Sequence, residues 1–157
     1  MIQYLKKGES LALPPGGFEE ASITSLNHDR VFIKKRTGFV KLCLQHGTAI
    51  RPVYVFGEKG CYWNIQGGFG ARLALNRYGI PAILAFGNPL CPLLPKPNAE
   101  IHIVVGEHLV LPKIEQPTKE DVFKWHQKYI TSLTKLFEDH KEEAYGAEAK
   151  TMKLEVW

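Results

Sequence analysis

Three short groups of residues have the types and spacing that chemistry needs. Lys34-Lys35-Arg36 is a basic cluster immediately before a helix that opens around Gly38 and Phe39. A helix N-terminus already favours anions, so cations beside it make a phosphate site. The same three residues also fit a solvated basic turn. Pro14-Pro15-Gly16-Gly17 puts a rigid entry before two permissive glycines. Backbone N–H groups there can approach a ligand closely and form an anion nest, although a plain turn reads the same way. Gly57-Glu58 follows an apolar strand, at the carboxyl end where open α/β sheets collect ligands; Glu58 also fits an ordinary loop carboxylate. His126 lies on an apolar helix face, where a lone histidine is more often a packed, hydrogen-bonded side chain than a base.

The elements that must position these groups follow from periodicity. Phe39, Leu42, Cys43 and His46 fall at i, i+3, i+4 and i+7, which predicts a helix stopped by Gly47. Ile50, Val53, Tyr54, Val55 and Phe56 predict a buried strand. Residues 31–35 and 101–105 predict two more strands, and Leu11–Leu13 another, stopped by Pro14-Pro15. The last of these is predicted to lie beside Ile50–Phe56 and so bring Gly16-Gly17 near Gly57-Glu58. Met1–Gly8 reads as the end of a helix capped by Gly8, and Glu19 to Ser22 open a helical turn. Tyr62, Ile65, Phe69 and Leu73 have helical spacing, weakened by Gly67, Gly68 and Gly70. The apolar, proline-broken run 80–94 reads either as a surface resting on a membrane or as core, with a buried strand at 82–86. A long helix opens after Pro117. Thr118 caps it with Asp121 three residues on, and Val122, His126, Tyr129, Ile130, Leu133 and Phe137 form its apolar face. From Ala144 the tail is predicted to fray.

The 157 residues make one domain, long enough to bury roughly 70% of the unfolded surface. Twenty Lys and Arg against sixteen Asp and Glu leave +4, a mild excess that suits an anionic ligand or membrane surface without requiring either. Cys43, Cys61 and Cys91 are odd in number and widely spaced. They read as reduced, packed thiols in a cytosol-facing protein, against a disulfide framework or zinc site. No Gly-x-Gly-x-x-Gly or Walker pattern points to a nucleotide-binding module, and no apolar run reaches eighteen uncharged residues.

Four blocks, in order, resemble the diacylglycerol acyltransferase family of the monoacylglycerol/diacylglycerol (type 2) kind. They are Pro15-Gly16-Gly17 with Glu20-Ala21; Lys34 through Glu58, above all Arg36-Thr37-Gly38-Phe39-Val40 and Pro52-Val53-Tyr54-Val55-Phe56-Gly57-Glu58; Val104-Val105-Gly106-Glu107; and Pro117-Thr118 leading to His126, Tyr129, Leu133, Leu136-Phe137 and His140-Lys141. His108 stands where that family usually has proline. The family's His-Pro-His-Gly block, whose histidine is taken as the general base, lies upstream of the Pro-Gly-Gly block and has no counterpart in the sequence. The chain therefore resembles the C-terminal part of such an enzyme over residues 1–143, with 144–157 as a tail.

The resemblance implies an α/β fold, glycerol-phosphate-acyltransferase-like and incomplete. Its expected core is a mixed, mostly parallel sheet flanked by helices. It implies an O-acyltransferase that uses acyl-CoA as substrate and a glyceride as acceptor, making di- or triacylglycerol, without cofactor, metal or nucleic acid. The implied location is the cytosol-facing side of the endoplasmic reticulum membrane. Pro15, Gly16 and Gly17 would line the acceptor or oxyanion side, and Lys34, Lys35 and Arg36 would meet phosphate. Glu20 and Glu58 would orient loops by bonding backbone N–H groups, with Gly38, Phe39 and Gly57 as further substrate-binding positions. No catalytic residue is assigned. The alternative is a non-catalytic acyl-CoA- or lipid-binding homologue.

Overall fold

The structure, a computed structural model, describes residues 2–80, 83 and 85–157. In chain order it contains α1 (Ile2–Lys6), α2 (Gly17–Ile23), β1 (Asp29–Val31), α3 (Gly38–His46), β2 (Val53–Phe56), β3 (Trp63–Asn64), α4 (Phe69–Asn76), β4 (Ala85–Phe86), β5 (His102–Val105), α5 (Lys119–Tyr145) and β6 (Leu154–Val156). The chain is thus a mixture of helices and strands.

The sheet differs from the expectation. Among the described residues there are three two-stranded pairs, and only β1–β6 is parallel. β2 pairs antiparallel with β5, Val53 opposite Val105 and Phe56 opposite His102, and β3 pairs antiparallel with β4. Burial along β2 alternates, with Tyr54 and Phe56 inward and Val53 outward, as a sheet with one covered face requires. Gly57-Glu58 and Gly106-Glu107 consequently lie at opposite ends of the β2–β5 pair. Residues 11–13 are not a strand: they have no ladder partner, and Leu11 and Leu13 are exposed. Pro14-Pro15 removes two consecutive N–H donors directly after them.

α5 is set by its cap. Thr118 Oγ1 accepts from the Asp121 N–H at 3.1 Å, while Asp121 Oδ2 accepts from the Thr118 N–H at 3.0 Å, so both ends of the predicted capping box are made. Its inner face carries His126, Tyr129, Leu133, Leu136 and Phe137. Phe137 stacks on Phe56 with ring centroids 5.4 Å apart and meets Tyr54 edge-on at 5.2 Å. α3 packs on the same helix through Phe39, whose ring is 5.1 Å from Tyr129. The buried side of α3 is Val40, Cys43 and Leu44. Gly47 ends the helix at φ +64°, and the Thr48 N–H bonds the Cys43 carbonyl.

Three other expectations are corrected. Residues after Ala144 do not fray: α5 runs to Tyr145, Ala149 is buried, and β6 joins β1, continued by Lys34 N–H to the Trp157 carbonyl at 2.7 Å. The helix expected from Tyr62 begins only at Phe69, because Gly67 and Gly68 take φ of +91° and +65°, which no helix interior allows. Cys91 is exposed, whereas Cys43 and Cys61 are buried; all three are free thiols. Of the alternative strand at 82–86, residues 82 and 84 lie outside the described residues, and Ala85–Phe86 form β4 with Phe86 half-exposed.

Candidate functional site

The Pro-Gly-Gly turn and the basic cluster are brought together through α2. Glu20, one turn into α2, reaches back so that its Oε2 accepts from the Phe32 N–H at 2.8 Å. This is the loop-orienting role expected of it. Its carboxyl group also occupies the space over Gly16, where a Cβ would collide with it. Gly17 takes φ +61°, a backbone conformation that favours glycine. Burial lifts the Glu20 carboxyl above its ordinary range; the Phe32 bond opposes this, and the charge of Glu58 adds to it. Glu58 and Lys59 share the wall of one cavity with Ala21 of α2, which places the turn after β2 on the same side as that helix. Leu11–Leu13, expected to bring the two loops together, is not a strand.

The cations divide. Arg36 Nη2 pairs with Glu19 Oε2, and its guanidinium lies 5.6 Å from the Phe32 ring centre. Lys34 and Lys35 are exposed instead, on the wall of a cavity of about 610 Å³. Gly38 opens α3 with no atom near the position a Cβ would take. Phe39 packs against Tyr129 and His126, so its ring serves the core.

Gly57 is fixed twice over. Its φ is +82°, and a Cβ would collide with the Glu100 carbonyl. The turn it makes carries Glu58, which is exposed, and Lys59, which is not. Lys59 Nζ donates to Asp29 Oδ2 at 2.8 Å. The other oxygen of Asp29 accepts from Tyr54 Oη at 3.0 Å and from Tyr145 Oη at 2.7 Å. Asp29 is buried, and a buried carboxylate persists only when paired and hydrogen-bonded in this way. Burial first, and then the neighbouring Asp29 charge, push the Tyr54 hydroxyl well above its usual range. The same two causes, with the Asp29 hydrogen bond, raise Tyr145. Burial likewise pushes Tyr129 up to about 12. This node ties β1, β2, α5 and the turn after β2 to one carboxylate. Sequence reading missed it, because Tyr54, Lys59 and Tyr145 are 25, 30 and 116 residues from Asp29. An aspartate in a turn-like stretch gives no local signal of such partners.

Lys59 and Glu58 also border a second, larger cavity of about 710 Å³, whose apolar lining includes Tyr62, Leu94 and Ile101. Ala21 of α2 lies on its wall, and Glu19 of the same helix lies on the wall of the basic cavity. The volume is in the range that holds a small organic ligand or part of a lipid chain.

The histidines are engaged in other ways. His126 is buried, and its Nε2 donates to the Ile33 carbonyl at 2.9 Å, the packed reading expected of it. Burial depresses its pKa, opposed by the Ile33 bond. His46 Nδ1 bonds the Leu42 carbonyl, His28 faces Glu155, and His102 and His140 both face Glu143. Among the described residues no cluster of three His, Cys, Asp or Glu is arranged to hold a metal, and no helix is long and apolar enough to cross a membrane.

A sequence profile of the family described as "Diacylglycerol acyltransferase" matches residues 1–156. Diacylglycerol O-acyltransferase 2 of Xenopus tropicalis is 37% identical over 145 residues, covering 85% of this chain and 40% of the relative. The protein of the same name from Dictyostelium discoideum is 32% identical over 157 residues, covering 94% and 47%. Acyl-CoA wax alcohol acyltransferase 2 of Mus musculus is 38% identical over 144 residues, covering 85% and 43%. The chain thus spans less than half the length of these relatives. No solved structure matches it.

Proposed function

This chain belongs to the diacylglycerol acyltransferase family, and on that premise we propose that it serves acyl-CoA-dependent O-acylation of a glyceride, yielding di- or triacylglycerol. In that reaction the acceptor hydroxyl attacks the thioester carbonyl, the carbon–sulfur bond breaks, and coenzyme A leaves carrying the proton that a base removed from the hydroxyl. The observation that carries the proposal is the family match over residues 1–156. The two cavities flanking α2, one apolar and one lined by Lys34 and Lys35, support it, because an acyl-CoA has an apolar tail and a polyanionic head.

In this reading the acyl or glyceride chain lies against Tyr62, Leu94 and Ile101. Pro15, Gly16 and Gly17 lie on the acceptor or oxyanion side of the site, with the Glu20 carboxyl group filling the space over Gly16 itself. Glu20 holds that turn to β1 through the Phe32 N–H, and Gly57 and Glu58 shape the far wall. The two-stranded pairs belong to a mixed sheet of the glycerol-phosphate acyltransferase kind. Trp63, Ile65, Phe86, Leu90 and Leu93, all exposed, rest on the cytosol-facing surface of the endoplasmic reticulum membrane.

A second reading, a non-catalytic acyl-CoA- or lipid-binding homologue, is favoured by one observation. The buried His126 spends its Nε2 proton on the Ile33 carbonyl and is not free to act as a base. Transfer of a labelled acyl group from acyl-CoA to diacylglycerol in liposomes separates the two. Residues 1–157 alone are expected to show no transfer, because a positioned base typically contributes about 10²–10⁴-fold. Adding the upstream half of a relative that carries the His-Pro-His-Gly block is expected to restore transfer. Acyl-CoA binding without transfer under both conditions would establish the second reading.

A further inference from the structure

The cavity on the Glu19 side of α2 is assembled from four separate parts of the chain. Lys34 and Lys35 follow β1, Arg77 follows α4, and Trp157 follows β6; Phe32 and Glu19 complete the wall. We propose that this cavity binds a phosphate or pyrophosphate group carried on a flat ring, which for this family's donor substrate is the phosphorylated nucleotide end of the coenzyme A thioester. The assignment rests on the acyl-CoA reading above and goes beyond it by naming Arg77 and Trp157, which no local motif marks.

Three observations carry it. The first is unbalanced charge. Lys34, Lys35 and Arg77 converge on a space of about 610 Å³ whose single acidic side chain, Glu19, is already paired with Arg36. Among the described residues no carboxylate lies within ion-pairing distance of Lys34, Lys35 or Arg77. Like charges gathered without counter-charges repel one another, and a bound polyanion relieves that repulsion.

The second is a fixed aromatic wall. The Trp157 backbone is held on both sides, by Lys34 N–H to its carbonyl at 2.7 Å and by its own N–H to the Val31 carbonyl at 2.9 Å. Its indole N–H reaches Glu155 at 3.4 Å, and the Arg30 guanidinium lies 5.3 Å from its ring centre. A ring held this way offers stacking area at little entropic cost. Arg36, paired with Glu19 and lying over the Phe32 ring, links two residues of the wall.

The third is placement. Asn76, next to Arg77, donates to Ser22 Oγ at 2.8 Å and to the Phe18 carbonyl at 3.2 Å. α4 is thereby clamped to α2, whose Ala21 borders the apolar cavity. One ligand with an anionic head and an apolar tail would thus meet both walls of α2.

Calorimetric titration of the full 157-residue chain tests this with free coenzyme A, 3′-dephospho-coenzyme A, inorganic pyrophosphate, and phosphatidylcholine vesicles with and without phosphatidic acid. Coenzyme A is expected to bind, with affinity falling as salt rises, and to bind more tightly than its dephospho form. Arg77→Glu and Lys34→Glu should each weaken it at least tenfold, while Lys124→Glu, a charge control on the exposed side of α5, should not. Trp157→Leu should weaken coenzyme A more than pyrophosphate, which has no ring to stack. Retained thermal melting of each variant excludes unfolding, and Arg77→Lys is expected to recover part of the affinity. If wild type binds coenzyme A and the Arg77 and Lys34 variants bind it equally well, this cavity is not the site, and the acyl-CoA reading stands. Arg77-dependent binding of phosphatidic acid vesicles without coenzyme A binding would keep the phosphate site and overturn the acyl-CoA source. Binding of none of the probes would overturn the inference.

Discussion

The chain uses apolar residues in two opposite ways. In the block formed by α3, β2, β5 and α5, large side chains are turned inward until almost nothing shows: Phe56 and Phe137 are 1% and 0% exposed. Between Cys61 and Glu100, similar residues face outward. α4 has no fully buried residue, and Leu90 and Leu93 are 96% and 87% exposed. Apolar content does not separate the two regions; the glycines and prolines of the second, and the backbone they impose, do. The first is built from a capped 27-residue helix and a four-residue antiparallel ladder, long enough for one face to repeat. The second is cut by Gly67, Gly68 and Gly79, all at positive φ, so no face persists beyond two turns. The lesson is that an apolar run states a need for cover, and only a regular backbone decides whether the chain supplies that cover itself.

The largest expected effect tests the inward block. Phe137→Ala removes a ring that contacts both Tyr54 and Phe56, and should cost about 3–5 kcal/mol in urea unfolding. Phe86→Ala, made on β4 in the other region where Phe86 is half-exposed, should cost far less. Equal costs would show that the second region is packed in solution as tightly as the first, and the contrast would fail.

What was legible in the sequence follows the same line. Thr118 with Asp121, the face of α5, the Gly47 stop and the existence of β2 were all readable, because each depends on neighbours within four residues or on a short apolar run. Glu20 was read correctly as a loop anchor, and His126 as packed. The Asp29 node was not readable, nor was the meeting of Lys34 and Lys35 with Arg77 and Trp157, since these partners are joined only by the fold. Leu11–Leu13 shows the converse error: a run can look like a strand and have no ladder to join. The sheet orientation failed for a related reason. Nothing local in residues 53–56 or 102–105 says that they run in opposite directions, and the 45-residue excursion between β2 and β5 (57 to 101) permits either.

A smaller effect sharpens the contrast, because the inward block contains a buried titrating base. His126 has its pKa depressed by burial, whereas in the unfolded chain it titrates at about 6.5. The unfolded state therefore binds the extra proton first. Stability from this group is fully present above about pH 6.5 and is lost as pH falls toward the folded value. Glu20 works in the other direction: its raised pKa means that its contribution is present at low pH and lost as the carboxyl ionises. Wild type and His126→Gln share the Glu20 effect, and Gln can still donate to the Ile33 carbonyl. Urea unfolding at pH 7.5 and pH 5 should show a smaller loss on acidification for His126→Gln than for wild type. An equal loss would mean that the ring is hydrated or already solvent-coupled.

The smallest effect on stability belongs to the outward region, and it is the one that says what covers that region. Trp63 and Phe86 are directly opposite each other across β3–β4, and Tyr62 next to them bonds the Leu93 carbonyl at 3.2 Å. Trp63 and Phe86 are therefore tied to each other, and the backbone that carries Leu93 is tied to the residue beside them. Lys96 lies 4.8 Å from the Trp63 ring centre, and an aromatic ring beside a cation is well suited to the boundary between lipid and water. Leu90→Ser with Leu93→Ser removes two side chains that contribute almost nothing to the core, so unfolding should shift by no more than about 0.5 kcal/mol per site, as for surface changes generally. If a membrane surface covers this region, flotation with liposomes should fall sharply in the same double variant, since each buried leucine is worth roughly 1.5–3 kcal/mol on transfer from water. Unchanged flotation with unchanged stability would remove the membrane from the account. A loss of stability matching that of Phe137→Ala would mean that Leu90 and Leu93 are buried by the protein itself, and the two regions would no longer differ in kind.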